Sequence, residues 1–338
     1  MKKEGIIMFP EKVYYEENAL NFELGKQLKE KYKHLEWVKI ESHNNIPELR
    51  SKENSEFVKM KDYLIIATRK THKYSDNFKV SDYLVPFTSS GCSAMCLYCY
   101  LVCNYNKCSY LRIFVNREEM LEKLLKKANS SEKELTFEIG SNSDLVLENQ
   151  ITGNLKWVIE EFAKNQKGNL TFPTKFDMID DLLELDHQGR VIFRMSLNPQ
   201  YVITHTEFRT SNLENRIKAL NKMCDAGYKV GILLAPIVLV ENYQKHYIEL
   251  FETMQQLLSE KVKKEMFFEV IFMTYSYVHR AINNQAFPNA IELYDKALMT
   301  GRGRGKYCYR QEARFEAEEF IKIELEKMFK KTPILYIV

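Results

Sequence analysis

Cys92, Cys96 and Cys99 stand at spacing C-x3-C-x2-C inside SSGCSAMCLYCYLVCNYNKC (89–108), a stretch holding five of the chain's seven cysteines. Three thiolates on one short loop can hold three irons of a cubane cluster and leave the fourth open to a substrate or cofactor. A site with four cysteine ligands is closed and suits electron transfer. The competing reading is structural zinc, with Cys103 or Cys108 as the fourth ligand. Zinc sites usually pair two cysteine knuckles, and no second C-x2-C occurs here, so the spacing favours the open cluster. Tyr98 and Tyr100 interleave with these cysteines. In a chain with 20 tyrosines, plain core packing is a strong alternative for both; adjacency to the thiols gives them a candidate role.

The elements that must position this loop alternate in period. DYLVPFT reads as a strand running into the cysteines, and NREEMLEKLLKKA as an amphipathic helix after them. Strands are expected at ELTFEIG, NLTFPTKF, RVIFRMSLN, YKVGILLAPIVLV and EMFFEVIFMTY, with helices at NLKWVIEEFAKN, MIDDLLEL, NLENRIKALNKMCDAG and YQKHYIELFETMQQLLSEKV between them. Repeated switching between periods of two and 3.6 signals βαβ units on a parallel sheet. Six units predict an α/β fold, a partial (β/α)6 TIM-like barrel, with a doubly wound sheet as the alternative. Either gathers chemistry at the carboxyl ends of its strands. That rim collects Ser141, Asn142 and Ser143, then Lys175, then Ser196 and Asn198, then Ala235-Pro236 where the chain can bend. A small N-terminal lobe is expected over 1–80, the barrel over 81–285 and a C-terminal hairpin and helix extension over 286–338.

Composition sets outer limits. Of 338 residues, 45% are hydrophobic and 12% aromatic, which supports a large core and excludes a disordered chain. A net charge of +3 excludes a general polycation, so any contact with nucleic acid comes from local basic patches. No run of about eighteen apolar residues occurs, and the start carries no signal-peptide pattern. Clustered cysteines in odd number point to a reducing cytoplasm rather than a disulfide framework.

The cysteine spacing, with Tyr98 before the third cysteine, resembles the radical S-adenosylmethionine (AdoMet) superfamily. Further blocks narrow the resemblance. CLYCYL, FEIGSNSDLV, TFPTKFDMIDDLL, FRMSLNPQYVI, AGYKVGILLAPI and GRGKYCY follow the order and spacing of the spore photoproduct lyase family, from SHN at 42–44 to the terminal ILYIV. That family reverses the methylene-bridged thymine dimer of ultraviolet-damaged spore DNA. The resemblance implies a [4Fe-4S] cluster on Cys92, Cys96 and Cys99, and AdoMet chelated at the open iron and cleaved to a 5′-deoxyadenosyl radical. It implies AdoMet contacts at Ser143, Lys175, Ser196 and Ala235, and a hydrogen-atom or electron relay through Tyr98 and Tyr100. It also implies lesion-bearing DNA as substrate, a flavodoxin or ferredoxin as electron donor, and a monomer in the cytoplasm.

One position departs from the family. Its FE-x-x-C-x-SD block carries a cysteine that quenches the product radical, and here the block reads FEIGSNSD, with Ser141 in that place. A thiol S–H is weak enough to give up its hydrogen atom to a carbon radical; an alcohol O–H is not. A variant impaired in turnover, another donor (Tyr100, Cys103 or Cys108), or a radical enzyme with a different substrate are the readings this leaves. For DNA, GRGRGKYCYR (301–310) sets Arg302, Arg304, Lys306 and Arg310 among glycines and two tyrosines. Glycine lets backbone approach a phosphate, cations neutralise it, and tyrosine can stack on a base. A hairpin at the barrel mouth is expected, with the lesion extruded into the barrel and Tyr336 lining its pocket. Cys224 and Cys308 read as ordinary buried residues.

Overall fold

β-Branched and aromatic runs of two to nine residues build two large sheets and two small ones, described by a computed structural model over residues 10–105 and 110–338. Of 103–105 only the backbone is described, so the Cys103 side chain and all of Cys108 lie outside the described residues.

The chain opens with β1 (Lys12–Glu16), β2 (Glu36–Ile40) and β3 (Tyr63–Ala67). Short strands β4 (Ser75–Asp76), β5 (Tyr83–Leu84), β6 (Ser89–Ser90) and β7 (Met95–Cys96) lead into the cysteine loop, and β8 (Leu111–Phe114) leaves it. The first sheet has the order β2-β1-β3-β8-β6. Successive side chains of a strand face opposite ways: Val13, Leu64 and Ile66 enter a cluster on one face, Tyr14, Tyr63 and Ile65 a cluster on the other. The lobe expected to end at 80 therefore reaches across the cysteine loop. Its sheet needs β8 to cover β3, whose five residues are all buried.

Then come β9 (Thr136–Glu138), β10 (Asn169–Thr174), β11 (Val191–Ser196), β12 (Glu207–Phe208), β13 (Lys229–Ile237) and β14 (Phe268–Phe272). Last are β15 (Thr274–Ser276), β16 (Met299–Gly303), β17 (Lys306–Tyr309) and β18 (Ile334–Ile337). The second sheet runs β18-β14-β13-β11-β10-β9-β5-β4 and is parallel except for the β4–β5 pair. From β5 to β14 its six strands lie in chain order. A doubly wound sheet reverses order at a switch point, so this one is a partial barrel. Its strands are buried on both faces, as in LTF of β10, because helices cover the outside.

Three local expectations change. MIDDLLEL forms only a 3-10 turn, Asp180–Leu182. The long helix divides into Tyr243–Leu257 and Glu260–Glu265, the second capped by Ser259, whose side chain accepts from the Val262 N–H. The tail ILYI is a seventh parallel strand on β14. The helix before it, Gln311–Met328, packs on Tyr243–Leu257, with Phe320 edge-on to Tyr243 at 5.9 Å. The extension expected over 286–338 thus continues the barrel from 311 onward, because an amphipathic helix and an apolar strand need that cover. Helix Leu213–Asp225 stops as expected, with Gly227 at φ +90. Among the described residues no helix is long and apolar enough to cross a membrane.

Candidate active site

The carboxyl ends of the barrel strands surround a cavity of about 740 Å³. Cys92, Cys96, Cys99, Tyr98, Tyr100 and Ser141 line it, and so do Ser143, Lys175, Ser196, Ala235 and Tyr336. Arg302, Arg304 and Lys306 do not; Arg302 lines an adjoining cavity.

Cys92 and Cys96 are buried and Cys99 half-buried. Burial pushes the Cys92 thiol up to about 12 and Cys96 well above its ordinary value, so thiolates here require positive charge at the site. One source is Lys61, buried under the loop, whose Nζ donates to the Cys92 carbonyl at 2.8 Å and lies within electrostatic reach of all three cysteines. Sequence reasoning misses Lys61, since a lysine in FVKMKDY looks like a solvated one. Among the described residues no three His, Cys, Asp or Glu side chains close on a single-ion point. The three cysteines line a space far larger than a single ion fills, room enough for a polynuclear group.

Beside them Lys175 Nζ donates to Ser196 Oγ at 2.5 Å, the Ala235 carbonyl at 2.9 Å and Glu207 Oε1 at 3.1 Å. The β13–β14 register shifts between Leu234 and Ile237, which leaves the Ala235 carbonyl to accept from Ser196 Oγ as well, at 2.9 Å. Asp144 caps helix Leu145–Thr152 and also accepts from the Lys175 N–H at 3.0 Å and Thr174 Oγ1 at 2.8 Å, so helix start and strand end are tied together. Ser143 Oγ is buried on the cavity wall with no protein hydrogen-bond partner, the condition of a hydroxyl awaiting a ligand.

Glu207 sits behind this cluster, fully buried, and no motif in the sequence marks it. Its carboxylate accepts from Tyr98 OH, Lys175 Nζ, Asn198 Nδ2 at 2.7 Å and Arg216 Nη2. Burial alone would raise its pKa; the Arg216 and Lys175 charges overcome that and hold it at about 2. Its backbone pairs with Cys96 across β12 and β7. An indirect signal does exist: Arg216 falls on the buried stripe of its helix with Leu213, Ile217 and Leu220, where a cation needs a buried partner.

The two tyrosines differ. Tyr98 is buried, its hydroxyl donating to Glu207. Tyr100 is 52% exposed and its hydroxyl donates to the Ser141 carbonyl, so phenol and substituted position meet. At the cavity floor Arg194 binds Glu269 through Nη1 at 3.1 Å and Glu138 through Nη2 at 2.6 Å, and Tyr336 OH donates to Glu269.

The expected hairpin forms as β16–β17 and gains β15 as a third strand. It turns through Gly303, Arg304 and Gly305, all at positive φ. Arg302 and Arg304 are exposed and Lys306 half-buried. Its tyrosines are not free to stack on bases. Tyr307 lies between Tyr277 at 4.0 Å and Tyr294 at 4.2 Å. Tyr309 is buried, and its hydroxyl oxygen accepts from the Leu239 N–H at 2.9 Å. Burying those rings stabilises the hairpin base, which overrides the sequence expectation. Cys224 is buried as expected; Cys308 is half-buried, on the hairpin strand β17.

A partial parallel barrel with a three-cysteine loop at the carboxyl ends of its strands is the class that fold and site define. Within it, the chain belongs to the spore photoproduct lyase family, whose family model matches residues 8–338. It is 32% identical over 335 residues to spore photoproduct lyase of Bacillus subtilis (strain 168), covering 97% of this chain and 98% of that one. The Clostridium acetobutylicum protein is 34% identical over 254 residues, 74% of this chain and 75% of its own. Among solved structures, spore photoproduct lyase complexed with dinucleoside spore photoproduct superposes with TM-score 0.90 at 30% identity, covering 98% of this chain and 99% of that one. A doubly substituted form with bound AdoMet and the same dinucleoside gives 0.90 at 30%, covering 98% and 100%.

Proposed function

We propose that this chain repairs DNA by splitting the spore photoproduct into two thymines, using a radical derived from AdoMet, as a carbon–carbon lyase. The observation that carries this reading is the meeting of the cysteine loop and the Lys175–Ser196–Ala235 cluster around one cavity. Cys92, Cys96 and Cys99 would hold a [4Fe-4S] cluster, with Lys61 offsetting part of their negative charge. Once reduced by an external electron donor, the bound cluster would supply one electron to AdoMet, the chemistry that splits it into methionine and a 5′-deoxyadenosyl radical.

This chain's residues bind and orient. Ser143, whose hydroxyl has no protein partner, offers a donor to the AdoMet carboxylate, and Lys175 and Ser196 would turn toward it from the Ala235 carbonyl they share. Glu207 fixes Lys175 and Tyr98 from behind. Tyr100 holds its phenolic hydrogen at residue 141, where the family cysteine is replaced by Ser141. Arg302, Arg304 and Lys306, on the hairpin whose Arg302 lines the adjoining cavity, would serve as DNA contacts. Resemblance adds an electron-donor protein of the flavodoxin or ferredoxin kind, a monomer, and action in the cytoplasm.

Anaerobically reconstituted protein, given dithionite, AdoMet and dinucleotide spore photoproduct, is expected to release 5′-deoxyadenosine only when the lesion is present, together with thymine. Lesion-independent cleavage, or none, would turn the reading toward a different substrate.

A further inference from the structure

The cavity at the barrel mouth has a neighbour. Lys79, Ile271, Phe272 and Thr274 line both it and a second cavity of about 530 Å³, so the two adjoin. The charged side chains lining the second are all cations: Lys79, Arg302 and Arg314. They come from three places in the chain, the stretch before β5, the hairpin and the helix Gln311–Met328. Val338 also lines it, and its backbone oxygen accepts from the Phe272 N–H at 2.7 Å.

Two of these cations rest on aromatic rings. The Arg314 guanidinium lies 4.2 Å from the centre of the Phe272 ring, and Lys79 Nζ is 4.6 Å from that of Tyr336. A ring face orients a cation without consuming its N–H groups. Arg314 has one ion pair, Nη2 to Glu318 at 3.3 Å, while its Nε is buried with no protein partner. Three cations around a small space, one with an unused buried donor, suit a compact anion with several acceptor oxygens. Phe272 and Tyr336 also line the first cavity, so such an anion would sit directly beside the occupant of that cavity.

We infer that the second cavity seats a phosphate of the DNA backbone flanking the lesion. This rests on the repair reading above. Bases entering the barrel bring their phosphodiesters to its edge, and a basic side chamber fixes the strand there without reading sequence.

The test compares dinucleoside spore photoproduct with the same lesion carrying terminal 3′- and 5′-phosphates, by calorimetric titration of the anaerobic, AdoMet-loaded protein. The unaltered chain is expected to bind the phosphorylated lesion about tenfold more tightly, the scale of a charge-assisted hydrogen bond. Arg314→Gln should bring that ratio close to one. Arg302→Gln, on the exposed hairpin, should lower it in part and stands in if loss of the Phe272 contact disturbs folding. A ratio of one in the unaltered chain, or a ratio untouched by both substitutions, overturns the inference. Inorganic phosphate that binds equally well with no gain from phosphate on the lesion overturns it too, marking a free-anion site. An unaltered chain that binds neither form of the lesion removes the repair reading, and this inference with it, a result distinct from a ratio of one.

Discussion

Glu207 and Cys96 are backbone partners in a two-residue antiparallel pair, and the Glu207 side chain reaches Lys175 at 3.1 Å. One residue thus registers the thiol loop against the lysine proposed to grip AdoMet. Glu207→Gln keeps the shape but leaves Arg216 and Lys175 short of a negative partner. Breaking such a buried pair costs about 3–5 kcal/mol. The variant is expected to melt lower while retaining iron, and to bind AdoMet more weakly. Calorimetry, iron analysis and the change in the reduced cluster's EPR signal on adding AdoMet check this; an unchanged AdoMet response would assign Glu207 to stability alone.

Substituting Cys92, Cys96 or Cys99 by Ala should each abolish iron binding in anaerobic reconstitution, whereas Cys103→Ala and Cys108→Ala should leave close to one four-iron cluster per chain. Iron and sulfide analysis decides. A site that takes zinc and refuses iron would end the radical reading.

Ser141 predicts an imperfect product distribution. Lesion cleavage does not need the residue at 141, but clean quenching needs a weak X–H bond beside the product. Lesion-dependent AdoMet cleavage is expected with slow thymine recovery and adducts of small reductants, and Ser141→Cys should shift the mixture to clean thymine. Chromatography of the products tests this. Clean, fast repair by the unaltered chain would instead point to Tyr100, whose phenol already meets residue 141.

Neutralising Arg302, Arg304 and Lys306 together should weaken binding to damaged and undamaged duplex alike and flatten the dependence of log K on log salt. An unchanged slope would reduce the hairpin to a solvated turn.

Glu148 supplies a pH dependence. Burial pushes its carboxyl up to about 6, against hydrogen bonds from Thr152, Asn154 and Thr88. A pKa raised by folding means stability that is full below the ordinary value of 4.5 and is lost as pH rises through about 6. The loss is about 2 kcal/mol. Urea denaturation of Glu148→Gln should therefore show less decline between about pH 4 and pH 8 than the unaltered chain shows.

The barrel is legible because apolar runs and amphipathic helices alternate, and rim residues follow once strands are assigned. Cys92, Lys175 and Ser196 can be placed by that rule. Glu207 and Lys61 cannot: each is a charge buried by contacts between distant segments, and periodicity carries no record of those contacts. β1 and β2 escape for a related reason. KVYYE and EWVKI carry charged residues within short runs, and pairing of β1 with β2 and β3, rather than their own pattern, makes the sheet. Tyr307 and Tyr309 depart from expectation because packing of their rings at the hairpin base decides their exposure.

The strands bounding the cysteine loop pair with each other, Ser89 with Ile113 and Ser90 with Arg112, and β8 is anchored on β3. The ends of the loop are therefore already together before any iron arrives. The entropy of closing a loop, which grows as (3/2)RT ln n with its length, is borne by the first sheet and not by metal ligation. Removing the metal then leaves the loop's ends held by the first sheet, and Cys96 still paired with Glu207. Stripping the iron should accordingly leave far-ultraviolet circular dichroism and cooperative melting of the barrel in place.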